Sequence, residues 1–252
     1  TVNTYESEYV TKCLIENGYE ICNFDDICDI YIINTCTVTN TADSKSRKLI
    51  RKVRKEYPKS IIVAAGCMIQ NKKDDGIDAD ILIGNNHKSE IMTYLNDYER
   101  KKIFDVEDME NASFENMKLN NFDLTRAYIK IQDGCNNQCT YCSVRLARGP
   151  ERSESAEQII AEIQKCLTLG EREIVLTGVQ LGAWHENQNR LPWLISHILE
   201  KTDVQRLRLS SIEPWHVRPE LWQLWQDKRL CPHFHIPVQS GSDAVLTAMK
   251  RR

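Results

Sequence analysis

The stretch AYIKIQDGCNNQCTYC (residues 127–142) joins an apolar strand pattern, residues 127–132, to a group of cysteines. Cys135, Cys139 and Cys142 lie within eight positions, and no fourth cysteine or histidine stands beside them. Three cysteines cannot all be paired in local disulfides, and a closed zinc site takes four ligands. The stretch therefore predicts a strand that leads directly into a metal-binding loop with one ligand missing.

An iron–sulfur cubane explains the missing ligand. Cysteine thiolates are the usual ligands of such clusters, and three of them leave one iron of a cubane open. An open iron can bind a substrate or cofactor, as a catalytic zinc ion keeps an open position. Two alternatives are a structural zinc ion with a distant fourth ligand and three unrelated thiols. The spacing C-x-x-x-C-x-x-C favours the open cluster.

Strand and helix patterns alternate after this loop, and the first helix has a capping-box start at Ser155 and Gln158. The helix patterns cover residues 155–169, 191–201 and 219–226, and the strand patterns cover residues 174–178, 206–211 and 234–239. Together with the strand before the loop, these units predict part of a (β/α) barrel. The chemistry of such a barrel lies at the carboxyl ends of its strands.

A second α/β pattern precedes the loop. The runs DIYIIN (29–34), IIVAAG (61–66) and DILIG (80–84) are continuous and β-branched, as in strands buried on both faces of a parallel sheet. Helix patterns cover residues 7–17 and 44–56. We therefore expect an N-terminal doubly wound (Rossmann/flavodoxin-like) parallel-sheet domain over residues 1–110. A polar linker over 111–124 and the partial barrel over 125–252 follow it.

Bulk composition narrows the class of protein. The chain has 252 residues, of which 41% are hydrophobic and 27% charged, so general disorder is excluded. No apolar run approaches the roughly 18 residues of a membrane span, and the first residues have no signal-peptide core. Ten cysteines in such a chain indicate metal binding or redox chemistry rather than a disulfide framework. We expect a cytoplasmic protein that does not contact membranes.

Two further cysteines follow predicted strands. Cys36 comes after IYIINT and Cys67 after IIVAAG, so both fall at the carboxyl ends of parallel strands, where open α/β sheets bind ligands. Two ligands are too few for a cubane, and small buried thiols are the alternative reading. The remaining five cysteines are expected to be structural: Cys13, Cys22, Cys28, Cys166 and Cys231.

The loop CNNQCTYC resembles the signature of the radical S-adenosylmethionine (SAM) superfamily. The flanks VNTYESE, INTCTVTNTADSKSRKLIR and AAGCMIQ resemble the amino-terminal domain of the methylthiotransferases. The resemblance spans essentially the whole chain. It implies two [4Fe-4S] clusters, one held by Cys135, Cys139 and Cys142 and open to S-adenosyl-L-methionine, and an auxiliary one held by Cys36 and Cys67. In the family another ligand cysteine falls just before Thr1, and an RNA-binding TRAM domain follows the barrel, so we expect a fragment.

The resemblance also implies a function. VNTYESE, NTCTVTNTADSKSRKLIR, IQDGCNNQCTYC and LSSIEP look most like the branch that adds a methylthio group to carbon 2 of N6-threonylcarbamoyladenosine at position 37 of tRNA. The alternatives are isopentenyl-adenosine in tRNA, an aspartate of a ribosomal protein and, outside enzymes, a zinc-holding RNA-binding module. The implied partners are a tRNA anticodon loop and a low-potential electron donor, and we expect a monomer.

Four segments match the SAM-binding strands that the resemblance implies. Backbone at the strand end formed by Thr177 and Gly178 is expected to meet the amino group of SAM, and Gly allows close approach. The other candidates are Ser211 and Glu213 for the ribose hydroxyls, Gln239, Ser240 and Gly241 for the adenosyl group, and Arg148 and Arg152 for a carboxylate or phosphate. Each also has an ordinary reading as a turn former or surface residue.

A basic segment adds a candidate RNA contact. Residues 45–59, KSRKLIRKVRKEYPK, hold eight basic residues and one acid. On a helix, Lys48, Lys52, Lys55 and Lys59 would share a face turned away from Leu49. Such a strip suits RNA phosphates and would make affinity depend on salt. The alternative is an ordinary solvated helix face.

Overall fold

The computed structural model describes residues 2–36, 40–72, 76–117 and 126–251. These residues form two units. The N-terminal unit comprises the described residues of 6–117 and 142–149, and the C-terminal unit those of 1–5, 118–141 and 150–252. Residues 118–124 of the predicted linker lie outside the described residues. Residues 106–117 contain no helix or strand, and Met109 and Met117 are buried.

The N-terminal unit is built on a four-stranded parallel sheet. Its strands, which lie in the order of their numbers, are β1 (Ile30–Thr35), β2 (Ile61–Gly66), β3 (Ile81–Ile83) and β4 (Ile103–Asp105). The helices are α1 (Val2–Glu16), whose first residues belong to the other unit, α2 (Asn40–Glu56), α3 (Cys67–Lys72), α4 (Ile91–Asn96) and α5 (Val144–Arg148). The short edge strand β4 and the helices α3, α4 and α5 were not predicted.

Both faces of this sheet are covered, because successive side chains of a strand point to opposite faces. On one face, Ile62 and Ala64 of β2 lie in a core cluster with Ile50 and Val53 of α2 and with Met68 of α3. On the other, a second cluster joins β2 and β3 to α1 and α4, with Val63, Ala65, Ile81, Ile83, Leu14, Ile91 and Leu95. Helices on both faces of a parallel sheet confirm the predicted doubly wound class.

The C-terminal unit contains a second sheet in the order β10-β7-β5-β6. Its strands are β5 (Ala127–Asp133), β6 (Arg152–Ser153), β7 (Glu173–Gly178) and β10 (Arg206–Leu209); β5, β7 and β10 are parallel, and β6 is antiparallel to β5. A hairpin of β8 (His185–Glu186) and β9 (Asn189–Arg190) stands apart. The helices are α6 (Ala156–Thr168), α7 (Leu191–Lys201), α8 (Pro219–Trp222) and α9 (Asp243–Ala248). The series β5-α6-β7-α7-β10 confirms the predicted βα units.

The predicted strand 234–239 is wrong. Within the described part of the chain, His235 makes a single bridge to Ser211, and no ladder continues from it. Pro237 has no N–H to donate, and Gln239 has a φ of +65°, so this segment does not sustain strand pairing. The predicted helix 219–226 is also divided, into α8 and a 3₁₀ turn over Gln223–Gln226.

The remaining features of the fold are a disulfide and the lengths of the helices. Cys22 and Cys28 are joined as a disulfide, a pairing that the sequence did not predict. Among the described residues, no helix is long and apolar enough to cross a membrane.

Candidate metal centre

The loop after β5 begins with a sharp turn at Gly134, whose φ is +72°. The Gly134 N–H donates to Asp133 Oδ1 at 2.8 Å. Cys135, Cys139 and Cys142 are free thiols, each half-buried, and no helix or strand forms from Gly134 to Ser143. Cys135 Sγ lies 3.1 Å from Gln180 Oε1, and the Asn137 N–H donates to the same sulfur at 3.4 Å. Cys135 and Cys139 thus follow the carboxyl end of β5, and Cys142 begins the segment that belongs to the N-terminal unit.

Two glutamines that the sequence did not single out anchor this end of the sheet. Gln132 Nε2 donates to the carbonyls of Asp133 and Gly134, both at 2.8 Å. Gln132 Oε1 accepts from the Gln180 N–H at 2.7 Å, which ties the end of β5 to the loop after β7. Gly178 leaves room for the Gln132 side chain, because a Cβ at position 178 would lie only 3.0 Å from Gln132 Oε1. The available signal was a glutamine near the end of a largely apolar strand.

Polar contacts also hold the middle of the loop. Asn136 and Glu151 bond reciprocally: the Asn136 N–H donates to Glu151 Oε1 at 3.2 Å, and the Glu151 N–H donates to Asn136 Oδ1 at 3.1 Å. The Thr140 N–H donates to the Met249 carbonyl at 3.1 Å. The backbone between the cysteines is therefore fixed from two sides.

The donor set fits an iron–sulfur cluster in kind and number. Three free thiols in one short loop are the ligands that an open cubane takes. Within the described ranges, however, no three His, Cys, Asp or Glu side chains are gathered closely enough to hold a metal ion. The ligand assignment therefore stays a prediction that rests on the chemistry of the side chains and on their place at the strand end.

The predicted SAM-binding residues divide into two groups. Thr177 ends a buried strand, and its Oγ1 is buried without a hydrogen-bond partner among the described residues. Ser211 Oγ lies 2.7 Å from His235 Nδ1. Glu213 accepts from the Arg251 guanidinium, and burial raises the pKa of the Glu213 carboxyl. Ser211 and Glu213 thus have protein partners, whereas the Thr177 hydroxyl has none among the described residues.

The other candidates lie on different elements. Gln239 and Gly241 are exposed, and Ser240 Oγ accepts from the Ser242 N–H at 3.1 Å. Arg152 lies on β6, where its Nη2 is 4.0 Å from Asp133 Oδ2. Arg148 is buried, and its guanidinium donates twice to Glu6, at 2.7 and 3.1 Å. The roles of these residues toward a cofactor stay predictions.

Arg251 is a further residue that the sequence did not single out. Its guanidinium donates to Glu213 and to the Pro237 carbonyl, and lies 5.1 Å from the Trp215 ring centroid. Burial lowers the pKa of Arg251, but the nearby Glu213 carboxylate outweighs it and the pKa is raised. Nothing in the local sequence signals these contacts, because Arg251 is far from all of its partners in the chain.

The second pair of cysteines lies in the N-terminal unit. Thr35 and Gly66 are paired residues at the ends of β1 and β2, so Cys36 and Cys67 follow the same edge of the sheet. Thr35 Oγ1 donates to the Ala65 carbonyl at 2.8 Å, and Ser46 Oγ lies 3.4 Å from the Cys36 nitrogen. Cys67 is buried and Cys36 half-buried, both as free thiols. The strand ends thus bring these two thiols to one edge, as predicted.

The basic strip differs in part from the prediction. Lys48, Lys52 and Lys55 are exposed on α2, but Lys59 lies in the turn after the helix. The helix ends at Glu56 because Pro58 disfavours a helical conformation at the residue before it. Lys52 Nζ also pairs with Asp25, at 2.9 Å. Exposed cations remain on one side of α2.

Comparison with known proteins connects both cysteine sets to named families. Residues 1–84 match the model of uncharacterized protein family UPF0004, and residues 129–252 match that of the radical SAM superfamily. The chain is 37% identical to the threonylcarbamoyladenosine tRNA methylthiotransferase MtaB of Bacillus subtilis, over 100% of this chain and 58% of that relative. For the same enzyme of Thermotoga maritima the values are 37%, 100% and 59%.

A more distant relative and a solved structure extend this picture. The tRNA-2-methylthio-N(6)-dimethylallyladenosine synthase of Clostridium botulinum is 30% identical, over 99% of this chain and 59% of that relative. The chain thus spans about three-fifths of the length of these relatives. The radical SAM methyltransferase TsrM of Kitasatospora setae, solved with tryptophan and a SAM analogue, has a TM-score of 0.63 at 14% identity, over 98% of this chain and 58% of that one. That likeness is one of fold.

The family models cover the two halves that carry the cysteines: the UPF0004 match contains Cys36 and Cys67, and the radical SAM match contains Cys135, Cys139 and Cys142. The fold neighbour is itself a radical SAM enzyme. Residues 129–252 therefore match the radical SAM superfamily, and residues 1–84 match the UPF0004 family.

Proposed function

We propose that the protein is a radical SAM methylthiotransferase that adds a methylthio group to carbon 2 of N6-threonylcarbamoyladenosine at position 37 of tRNA. One observation carries the proposal: two separate sets of free cysteines follow parallel strands in a chain whose full length is 37% identical to relatives with that name. The relative that acts on dimethylallyladenosine is less similar, at 30% identity. A tRNA substrate also implies that the protein acts in the cytoplasm.

The residues of this chain have distinct roles in the proposal. Cys135, Cys139 and Cys142 hold a [4Fe-4S] cluster, and Cys36 and Cys67 supply two ligands of an auxiliary one. When bound, the clusters and SAM supply the radical and the sulfur that the reaction needs.

Gln132 and Gln180 keep the SAM-cluster loop in place, since they connect the ends of two neighbouring strands. Thr177 offers a buried hydroxyl at the same strand ends, where the amino or carboxylate group of a ligand would find a partner. These side chains bind and orient; the radical chemistry belongs to the cofactors.

A tRNA partner is supported by the exposed cations of α2. Lys48, Lys52 and Lys55 lie on a helix that carries net positive charge, although the chain as a whole has a net charge of -3. Local clustering of cations, rather than net charge, supplies phosphate contacts. A base in an anticodon loop is also unpaired, so it enters a pocket at less cost than a duplex base.

The proposal is tested with the protein expressed at its full genomic length and purified without oxygen. Cys135→Ser, Cys139→Ser and Cys142→Ser should each lower bound iron by about four atoms per chain, the content of one cubane, and abolish 5'-deoxyadenosine formation. Cys67→Ser should lower iron but keep SAM cleavage. Cys13→Ser, another half-buried free thiol, is the matched control and should change neither quantity.

The substrate is tested by nucleoside mass spectrometry after reaction with tRNA and SAM. A methylthio group on threonylcarbamoyladenosine supports the assignment. Methylthiolation of isopentenyl-adenosine, or an unchanged nucleoside profile with a modified ribosomal protein, would replace it. Zinc without labile sulfide would end the radical SAM proposal and favour an RNA-binding module.

A further inference from the structure

Asn85 occupies an unusual place in the N-terminal unit. It follows β3 by two positions and is only 2% exposed. Its Nδ2 donates to the Ala147 carbonyl at 2.6 Å and lies 3.4 Å from Cys67 Sγ. The Asn85 N–H donates to Gln70 Oε1 at 2.9 Å, which fixes the backbone at this position. One amide therefore contacts both a thiol at the end of β2 and the backbone of α5.

An ion-pair network supports the same arrangement. Lys88 Nζ donates to Asn85 Oδ1 at 3.2 Å and to Glu6 Oε2 at 2.6 Å. Glu6 in turn accepts two bonds from Arg148, the last residue of α5. Glu6, Lys88 and Arg148 are 0%, 2% and 3% exposed. Buried charges are costly unless they are paired, so these bonds hold α5 firmly against α1 and Lys88 within the N-terminal unit.

The two segments that Asn85 joins are those that carry predicted ligands of different clusters. Cys67 is the first residue of α3, and α5 begins two residues after Cys142. Because α5 is only five residues long, the position of its last turn also constrains the backbone at Cys142. The contacts of Asn85 and Arg148 therefore tie Cys142 to the edge of the sheet that carries Cys67.

We propose that Asn85 is a positioning residue that sets the placement of Cys67 relative to Cys142, on which transfer of the methylthio group depends more than cleavage of SAM does. The inference rests on the proposed function. It assigns Asn85 no contact with substrate. Its role is to fix the positions of the segments that carry Cys67 and Cys142. This matters because a displacement of about 1 Å can lower the rate of a catalysed reaction about a hundredfold.

The variant Asn85→Asp tests this with little change in shape. The carboxylate keeps an acceptor for Lys88 but loses the N–H donors that face Cys67 and the Ala147 carbonyl. Asn86→Asp is the matched control, since it makes the same change one residue later, where the amide donates to Glu107 Oε2 at 2.8 Å. Both are made in the protein at its full genomic length.

The first measurement needs no cofactor. In the cluster-free protein, amide hydrogen exchange over residues 144–149 and alkylation of Cys67 should both be faster in Asn85→Asp by about tenfold, as expected for loss of a buried hydrogen bond. Asn86→Asp should match the unmodified protein. Equal exchange and alkylation in the two variants would overturn the proposal.

The second measurement uses the protein with both clusters. In Asn85→Asp, 5'-deoxyadenosine formation should stay within about twofold, while methylthio nucleoside per 5'-deoxyadenosine should fall by about tenfold or more. An unchanged ratio contradicts a positioning role, and so does an equal fall in both products. If Asn85→Asp does not fold, the same two measurements are made on Asn85→Ser, and the same outcomes support or contradict the proposal.

Failure of the proposed function has a different signature. If the unmodified protein makes no methylthio nucleoside, that function is wrong. The exchange and alkylation data then still decide whether Asn85 ties α5 to Cys67.

Discussion

Gly66 shows how tightly the edge that carries Cys36 and Cys67 is built. Its φ is +109°, a region that side chains with a Cβ rarely adopt. A Cβ at this position would lie 2.7 Å from the Thr35 carbonyl oxygen and 2.9 Å from Asn34 Oδ1. The residue before the predicted ligand therefore has to be glycine, for both its backbone angle and its neighbours.

Gly66→Ala should lower the free energy of unfolding by about 3 kcal/mol or more, which combines backbone strain with a clash against backbone atoms. Gly18→Ala is the control in the same unit, because Gly18 also has a positive φ, +84°, but a Cβ added there would meet no atom within 4 Å. It should cost about 1 kcal/mol. Denaturant titration compares the two, and equal losses would show that the contact with Thr35 is unimportant.

At the scale of single elements, α6 shows what a local cap contributes. Ser155 Oγ accepts from the Gln158 N–H at 3.3 Å, which confirms the first half of the predicted capping box. In a capping box the Ser155 N–H would donate to the Gln158 side chain. Here it donates to Glu154 Oε1 instead, at 2.8 Å. The helix start is thus satisfied by two neighbouring side chains.

Ser155→Ala should lower the free energy of unfolding by about 1 kcal/mol, the usual loss for a bonded N-cap. Ser242→Ala is the matched control, because Ser242 is the N-cap of α9 but its side chain makes no capping bond. It should change stability by no more than a few tenths of a kcal/mol. Thermal unfolding of both variants measures the difference, and a similar loss in Ser242→Ala would contradict the assigned cap.

Contacts between strands depend on Glu173, the first residue of β7. Its carboxylate accepts from Arg208 at 2.8 Å, Arg126 at 3.0 Å and Arg206 at 3.2 Å. Burial alone would raise the pKa of Glu173, but the guanidinium groups outweigh it and hold that pKa below its usual value. These residues join the beginnings of β5, β7 and β10.

Glu173→Gln should lower the free energy of unfolding at pH 7 by about 2 kcal/mol, since it leaves three arginines without their carboxylate. A depressed pKa stabilises the fold above the unfolded-state value, about 4.3, and that contribution is lost as the pH falls through the lower folded-state value. The difference between Glu173→Gln and the unmodified protein should therefore shrink below about pH 4. A difference that is constant between pH 7 and about pH 3 would exclude the ion pairs as its cause.

At the scale of the whole molecule, charge is distributed unevenly. The net charge is -3, yet α2 exposes Lys48, Arg51 and Lys55. Under the proposed function, RNA would contact this local surface, because the overall field of the protein does not attract phosphates.

The double variant Lys48→Ala/Lys55→Ala should weaken tRNA binding and lower the slope of log affinity against log salt by about 1.5, since each phosphate contact contributes about 0.7 to 0.9. The control Lys201→Ala/Lys228→Ala removes the same charge from exposed positions elsewhere. Filter binding at several salt concentrations measures both slopes. Equal slopes would show that α2 is an ordinary solvated face.

The elements with strong local patterns were predictable. β1, β2 and β7 are continuous apolar runs, and α6 and α7 have clear periodicity and end signals. The three-residue strand β4 and the two-residue strand β6 were not predicted, because each is short and contains charged residues rather than an apolar run. Residues 234–239 were misread as a strand, because their alternation outweighed the effect of Pro237, which has no N–H for pairing.

The sequence by itself determined the kinds of candidate ligand, their spacing and their place after strands, because these are local properties of a few neighbouring residues. The tertiary structure alone decided which polar side chains meet. Gln132 joins Gln180 across 48 positions, and Arg148 joins Glu6 across 142. An isolated Asn, Gln or Arg in a sequence looks like a surface residue. Only the packing of distant elements shows that Asn85 is buried against Cys67 and that Arg148 is held by Glu6.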